Sequence, residues 1–153
     1  MLVALREVED DDLPVFYDNQ RDSASTWMAD VPHRESDEFY AHWAKIRVDP
    51  SIVLRTVVVD GVVAGNAVSF VRDGTREIGY WLGRQHWGRG IASAAVGLLL
   101  AELSERPLYA VVSSDNAGSV RVLTKHGFQL VGSESEYSRV REQTNELLRF
   151  VLE

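Results

Sequence analysis

Two Asp-Gly pairs, Asp60-Gly61 and Asp73-Gly74, sit between runs of strand-forming residues, and their spacing limits the fold more than any other feature. Ile52–Val59 is dominated by β-branched side chains and stops at the first pair. An Asp-Gly pair supplies the positive φ that a tight hairpin turn requires. Val62–Phe70, interrupted by Gly65, returns as the partner strand, and Glu77–Leu82 follows the second pair. The middle of the chain is therefore expected to be an antiparallel meander of three strands.

The flanks add helices. Leu2–Val8 reads as a first strand. Glu9–Asp12 places carboxylates where a helix dipole favours them, Pro14 follows in the first turn, and Leu13, Phe16 and Tyr17 form a short inner face. Residues 21–36 have no clear period but hold Trp27, Met28, Pro32 and His33, and read as a packed loop or a pocket wall. Ser36-Asp37-Glu38 opens a helix with Phe39, Trp43 and Ile46 on one side. After the meander, Ile91–Leu103 is an Ala- and Leu-rich helix that ends near Arg106-Pro107. Leu108–Val112 is an apolar, buried-type strand. Asp115-Asn116 opens a helix that runs to Lys125-His126 and stops at Gly127, and Phe128–Val131 and Leu147–Leu152 close the chain as strands. With 153 residues and no linker or repeat, this order describes one α+β domain spanning residues 1–153. Such a length buries roughly 70% of the unfolded surface without staples.

Composition narrows the function. The absence of cysteine removes disulfides, thiolate metal sites and Cys nucleophiles. His33, His42, His86 and His126 have no metal-ligand spacing, so no metal is expected. A net charge of −7 disfavours nucleic-acid or anionic-membrane partners. No apolar run approaches the roughly 20 residues that cross a bilayer, and Met1–Arg6 lacks the apolar core of a signal peptide. A soluble, cytoplasmic domain is the expectation, with monomer and homodimer equally open.

The stretch Gly83-Arg84-Gln85-His86-Trp87-Gly88-Arg89-Gly90-Ile91-Ala92 lies between a strand and a long helix. Glycines let backbone N–H groups approach a ligand, and the helix start adds partial positive charge, so the stretch suits an anion. It is not a Walker loop, because Arg89-Gly90 follows Gly88 where Lys-Ser/Thr is needed. It is not a dinucleotide fingerprint either, because Ser93 stands at the third glycine. Gln85-His86-Trp87-Gly88-Arg89-Gly90 resembles Gln/Arg-x-x-Gly-x-Gly/Ala, the acyl-CoA pyrophosphate signature of the GNAT N-acetyltransferases. The flanking Glu77–Leu82 and Gly90–Ser93, with Asn116-Ala117-Gly118-Ser119 and Leu123–Phe128, resemble the RimJ/RimL-like branch that includes ribosomal-protein N-terminal acetyltransferases. The order of elements is similar to the GNAT order throughout.

The resemblance implies a mixed, mostly antiparallel sheet flanked by about four helices, and acetyl-CoA as cosubstrate. Gln85, Gly88, Arg89, Gly90, Ile91 and Ala92 would then hold its phosphates, while Asn116 and the backbone of Tyr80, Trp81 and Leu82 would meet the pantetheine arm. The three side chains are equally suited to core packing, and Asn116 to a helix cap. Glu77 is the candidate general base, the alternative being a surface carboxylate paired with Arg72 or Arg76. Many relatives carry a tyrosine acid four residues before Gly-Phe, where this chain has Leu123; Ser119 stands where the RimJ/RimL-like branch places a serine near the departing thiol, and the resemblance implies it as the acid. Its alternative is a simple helix-start serine. Trp27 and Met28, with the loop Glu136–Thr144, would build the acceptor pocket. The expected activity is acetyl transfer from acetyl-CoA to a primary amine on a protein N-terminus, polyamine or other small molecule. The rival is an acyl-CoA-binding sensor or structural subunit without turnover.

Overall fold

In the computed structural model, which describes residues 1–153, both Asp-Gly pairs close hairpins. Asp60 and Gly61 have φ of 49° and 82°, and Asp73 and Gly74 have 51° and 79°, as a tight turn between twisted strands demands. The meander is β2 (Val53–Val59), β3 (Val62–Arg72) and β4 (Thr75–Leu82). With β1 (Val3–Arg6), β5 (Leu108–Ser113), β6 (Gln129–Ser138) and β7 (Gln143–Leu152) it forms one sheet of seven strands in the order β1-β2-β3-β4-β5-β7-β6. Every neighbouring pair is antiparallel except β4 and β5, which run parallel and share a single register pair, Glu77 with Tyr109.

Five α-helices accompany the sheet: α1 (Leu13–Arg21), α2 (Ser23–Ala29), α3 (Ser36–Arg47), α4 (Ile91–Glu102) and α5 (Ala117–Lys125). On one face Ile78, Leu82, Ile91, Val96, Leu99, Leu108 and Leu123 form the main core. On the other, α1 and α3 bring Leu13, Phe16, Phe39 and Trp43 onto Leu54, with the Phe16 and Trp43 rings 5.0 Å apart. Strand alternation divides β4 between the faces. Ile78, Tyr80 and Leu82 turn toward the main core, while Glu77, Gly79 and Trp81 turn to the other face.

The structure departs from the sequence reading in three places. Residues 21–36 are not wholly irregular: α2 forms there, capped by the Asp22 carboxylate, which accepts from Ser25 N at 3.0 Å. That makes five helices rather than about four. The carboxylates of Asp10–Asp12 form a 3-10 turn ahead of α1 instead of its first turn. The supposed loop Glu136–Thr144 is mostly the paired end of the β6–β7 hairpin, which closes at Ser138 with Gln143. Its strands carry polar residues because β6 is an edge strand exposed along nearly its whole length. No helix is long and apolar enough to cross a membrane.

Asp12 ties the first strand to the meander. Its buried carboxylate accepts from Arg6 Nη1 and Nη2 at 2.7 and 2.9 Å, Glu9 N at 2.8 Å and Thr56 Oγ1 at 2.7 Å. Burial pushes its pKa up, but the Arg6, Glu9 and Thr56 bonds together outweigh burial and hold it at about 2, below the ordinary 3.8. A lowered folded-state pKa stabilises above the unfolded value and is lost as pH falls through the folded one. Asp12 is therefore expected to contribute about 2 kcal/mol at neutral pH, disappearing between pH ~4 and ~2. Urea titrations across that range check this, because Asp12→Asn should remove the corresponding part of the acid dependence.

Candidate active site

The site grows from the short contact between β4 and β5. Past Glu77 and Tyr109 the two strands have no further register pair, so the β5-facing edge of Gly79–Leu82 has no ladder partner. Unpaired backbone groups of that kind are left to water or a ligand. After β4 the chain enters a 3-10 turn at Arg84–His86, and Trp87 Nε1 donates to Leu82 O at 3.2 Å, which fastens the turn to the strand end. Gly88 and Gly90 have φ of 72° and 79°, and a Cβ at either would meet no atom within 4 Å. Glycine is needed there for backbone angle, and the space in front of it is open. The first bond of α4 runs from Ala94 N to Gly90 O, so the N–H groups of Ile91, Ala92 and Ser93 have no helical acceptor and carry the positive end of the dipole.

The turn, strand edge and helix start enclose a cavity of about 590 Å³, within the usual range for a small-molecule site. Its walls are Tyr80–Leu82 of β4, His86–Gly88 and Gly90 of the turn, Ile91–Ser93 of α4, and Ser25, Met28 and Ala29 of α2. The remaining wall is the start and one side of α5, with Asn116, Gly118, Ser119, Arg121, Val122 and Lys125. Asn116 Oδ1 accepts from Ser119 N at 3.3 Å, so its side chain caps α5. Tyr80 Oη donates to Ser119 Oγ at 2.8 Å inside the cavity, and burial raises the phenol's pKa against the lowering effect of that bond. Ser119 stands one helical turn before Leu123, which is fully buried in the main core. Burial, and then the charge of Arg89, lowers the pKa of His86, whose Nδ1 lies 3.4 Å from Arg89 Nη1.

Of the residues singled out in the sequence, Tyr80, Trp81, Leu82, Gly88, Gly90, Ile91, Ala92, Asn116, Ser119 and Met28 all line the cavity. Four do not. Gln85 faces a smaller polar depression with Asp18, Asn19, Asp22 and Arg84. Arg89 lies behind the turn against His86 and the Met1 sulfur. Trp27 packs its ring 3.9 Å from the Arg141 guanidinium carbon. Glu77 is buried at the closed end of the strand pair, where its Oε2 lies 3.8 Å from Arg72 Nε. The ion pair with Arg72 is thus real, but the carboxylate is an interior one.

Two features of the site were not read from the sequence. The first is Arg121, one helical turn before Lys125 on α5, which joins that lysine in bringing a cationic side chain to the cavity wall. Their spacing was the available signal. The other is a polar network around Arg141, whose side chain is entirely buried. It donates to Asp115 Oδ2 at 2.7 Å, Asn145 Oδ1 at 3.0 Å, Trp27 O at 2.9 Å and Met28 O at 3.3 Å. Asp30, which ends α2 in the left-handed region, accepts from Asn145 Nδ2 at 2.8 Å and from the Ser138 hydroxyl. The β6–β7 hairpin therefore clamps α2, one cavity wall, to the loop that starts α5, another. Nothing local marks Arg141, because its partners come from distant segments.

The acetyltransferase (GNAT) domain family matches residues 3–129, and the chain belongs to that family. Among curated proteins it is 33% identical over 105 residues to the uncharacterized N-acetyltransferase p20 of Bacillus licheniformis, covering 66% of this chain and 58% of that protein. Among solved structures, spermidine N-acetyltransferase from Vibrio cholerae in complex with CoA and spermine superimposes with a TM-score of 0.88 at 18% identity. That match covers 98% of this chain and 94% of the other. Mycobacterium smegmatis RimJ in complex with CoA-disulfide gives 0.77 at 23% identity, over 98% of this chain and 81% of the other.

Removing Arg141 leaves buried acceptors on Asn145 and the Trp27 and Met28 carbonyls without their donor. Arg141→Ala is expected to lower the unfolding free energy by about 3 kcal/mol, read from guanidinium denaturation.

Proposed function

We propose that residues 1–153 act as a single RimJ/RimL-like acetyltransferase domain in the cytoplasm, transferring an acetyl group from acetyl-CoA to a primary amine. The observation that carries this reading is one cavity that joins three features: an open glycine turn at a helix start, an unpaired strand edge, and a Tyr80–Ser119 hydroxyl pair.

Each feature fits a different part of the donor. The free N–H groups of Ile91–Ser93 and the backbone at Gly88 and Gly90 suit phosphate oxygens, with Arg121 and Lys125 as further positive charge. The free edge of Gly79–Leu82 offers the same donors and acceptors that a paired strand would use, which suits the pantetheine amides. When bound, acetyl-CoA supplies an activated thioester. In this reading the amine nitrogen bonds to the acetyl carbon as the carbon–sulfur bond breaks. Glu77 takes the proton the nitrogen loses, through water, because the carboxylate stands apart from the cavity. Ser119 gives a proton to the departing sulfur as it takes one from Tyr80 Oη, which solvent then reprotonates. Its oxygen already accepts from Tyr80, so its own hydrogen is free for another acceptor. Leu123 is buried in the core and offers no proton. The spermidine N-acetyltransferase and RimJ structures were solved with CoA or its disulfide, which supports the choice of donor.

Release of free thiol from acetyl-CoA across an amine panel tests the reading, since binding without turnover identifies a sensor instead. Gly90→Val meets no protein atom within 4 Å of the Cβ position but is strained by the positive φ, so it is expected to lose about 1–3 kcal/mol of stability and, in its folded fraction, coenzyme affinity by at least roughly tenfold in calorimetry. Glu77→Gln and Ser119→Ala are each expected to lower kcat by on the order of 10²- to 10⁴-fold with coenzyme affinity unchanged. Steady-state kinetics at saturating acceptor checks both.

A further inference from the structure

The face of β4 turned away from α4 carries Thr75, Glu77, Gly79 and Trp81 in alternation. Glycine in the middle of a strand costs stability, and nothing about Gly79 requires it: its φ is ordinary, and a Cβ would meet only Val68 Cγ2 at 3.6 Å and Phe70 Cε1 at 3.9 Å. Gly79 therefore places no side chain between Glu77 and Trp81 on that face, and Val68 and Phe70 border the position it leaves bare. The side chains around that position carry charge. Arg72, opposite Thr75 in the ladder, places Nε 3.8 Å from Glu77 Oε2 while most of its side chain is exposed. Tyr109 is the register partner of Glu77, and the Arg149 guanidinium carbon lies 4.4 Å from the centre of its ring. Arg149 Nη2 donates to Thr75 Oγ1 at 3.3 Å. The partners of Arg149 are thus a ring and a hydroxyl, and neither neutralises it.

A chain with a net charge of −7 therefore gathers two guanidiniums against one carboxylate around this position. We infer that the acceptor is an amine bearing a carboxylate, lying across Gly79 with its nitrogen toward the cavity, one water away from Glu77, and its carboxylate at Arg149. The inference rests on the acetyl-transfer reading and names its substrate class. The Tyr109 ring restrains the guanidinium, and only Nη2 is engaged, by Thr75, so N–H donors remain of the kind that grip a carboxylate at two points. A polyamine would bring its second ammonium toward Arg72 and Arg149, where like charges repel.

The test is thiol release from acetyl-CoA with α-, γ- and ε-amino acids, the carboxamide of each, and diamines of matching length. The expected result is that at least one amino acid exceeds its carboxamide and its diamine by roughly tenfold or more in kcat/KM. Arg149→Gln should reduce that advantage to less than about threefold, chiefly through KM, with Arg149→Lys retaining part of it. A diamine or carboxamide used as well as the acid overturns the inference and leaves acetyl transfer standing. So does an Arg149→Gln loss that is equal for acid and amide. Thiol release from none of the acceptors, with acetyl-CoA still bound, overturns the transfer reading itself.

Discussion

The pairing between β4 and β5 stops after Glu77 and Tyr109, and the site takes its shape from where it stops. A sheet that stayed zipped would use the backbone of Gly79–Leu82 for its own ladder and leave no room between α2, α4 and α5. Because the strands part, the main core lies on one side of the opening and the α1–α3 core on the other, and each can be packed tightly without filling the gap. Tyr80 and Glu77 belong to the same strand but opposite faces, so one rigid element holds both and presents them to different sides of the sheet.

Much of this was legible along the chain because it is encoded locally. The Asp-Gly turns, the β-branched strands between them, the apolar α4 and the Gly127 stop each need only a few neighbouring residues to be recognised. The glycine turn was legible for the same reason, since its positive φ values and free N–H groups are properties of one short segment. What failed locally was α2. Its seven residues, SASTWMA, bury Ser25 and Thr26 in place of an apolar stripe, so no helical period stands out. The β6–β7 hairpin extends beyond its apolar stretches because β6 is an exposed edge, which requires no alternation of apolar and polar residues, and Gln143–Glu146 of β7 pair with that edge alone.

Features that depend on distant pairings were invisible. Arg141 is a polar residue in a turn until α2, Asp115 and Asn145 are folded around it, and then it becomes the buried centre of a clamp. Asp12 reads as one of four consecutive helix-start carboxylates, whereas the structure gives it alone hydrogen bonds from the Arg6 guanidinium and Thr56 hydroxyl. Glu77 falls between these cases. Its place at the strand entering the cleft follows from sequence, but its burial on the face opposite Tyr80 follows from the sheet.

The outermost strand raises a different matter, the fate of a sheet that ends in solvent. β6 offers ten residues of free backbone, with Leu130, Val131 and Tyr137 exposed, the type of margin on which strands of other molecules can accrete. Its ladder with β7 slips between Leu130 and Gly132, which kinks the strand, and Glu134 and Glu136 stand further along it. A flush incoming strand would have to follow the kink and bring its backbone past both carboxylates. The irregularity at Val131 thus acts as a guard on solubility, and straightening it by deletion would open the margin to uncontrolled self-association.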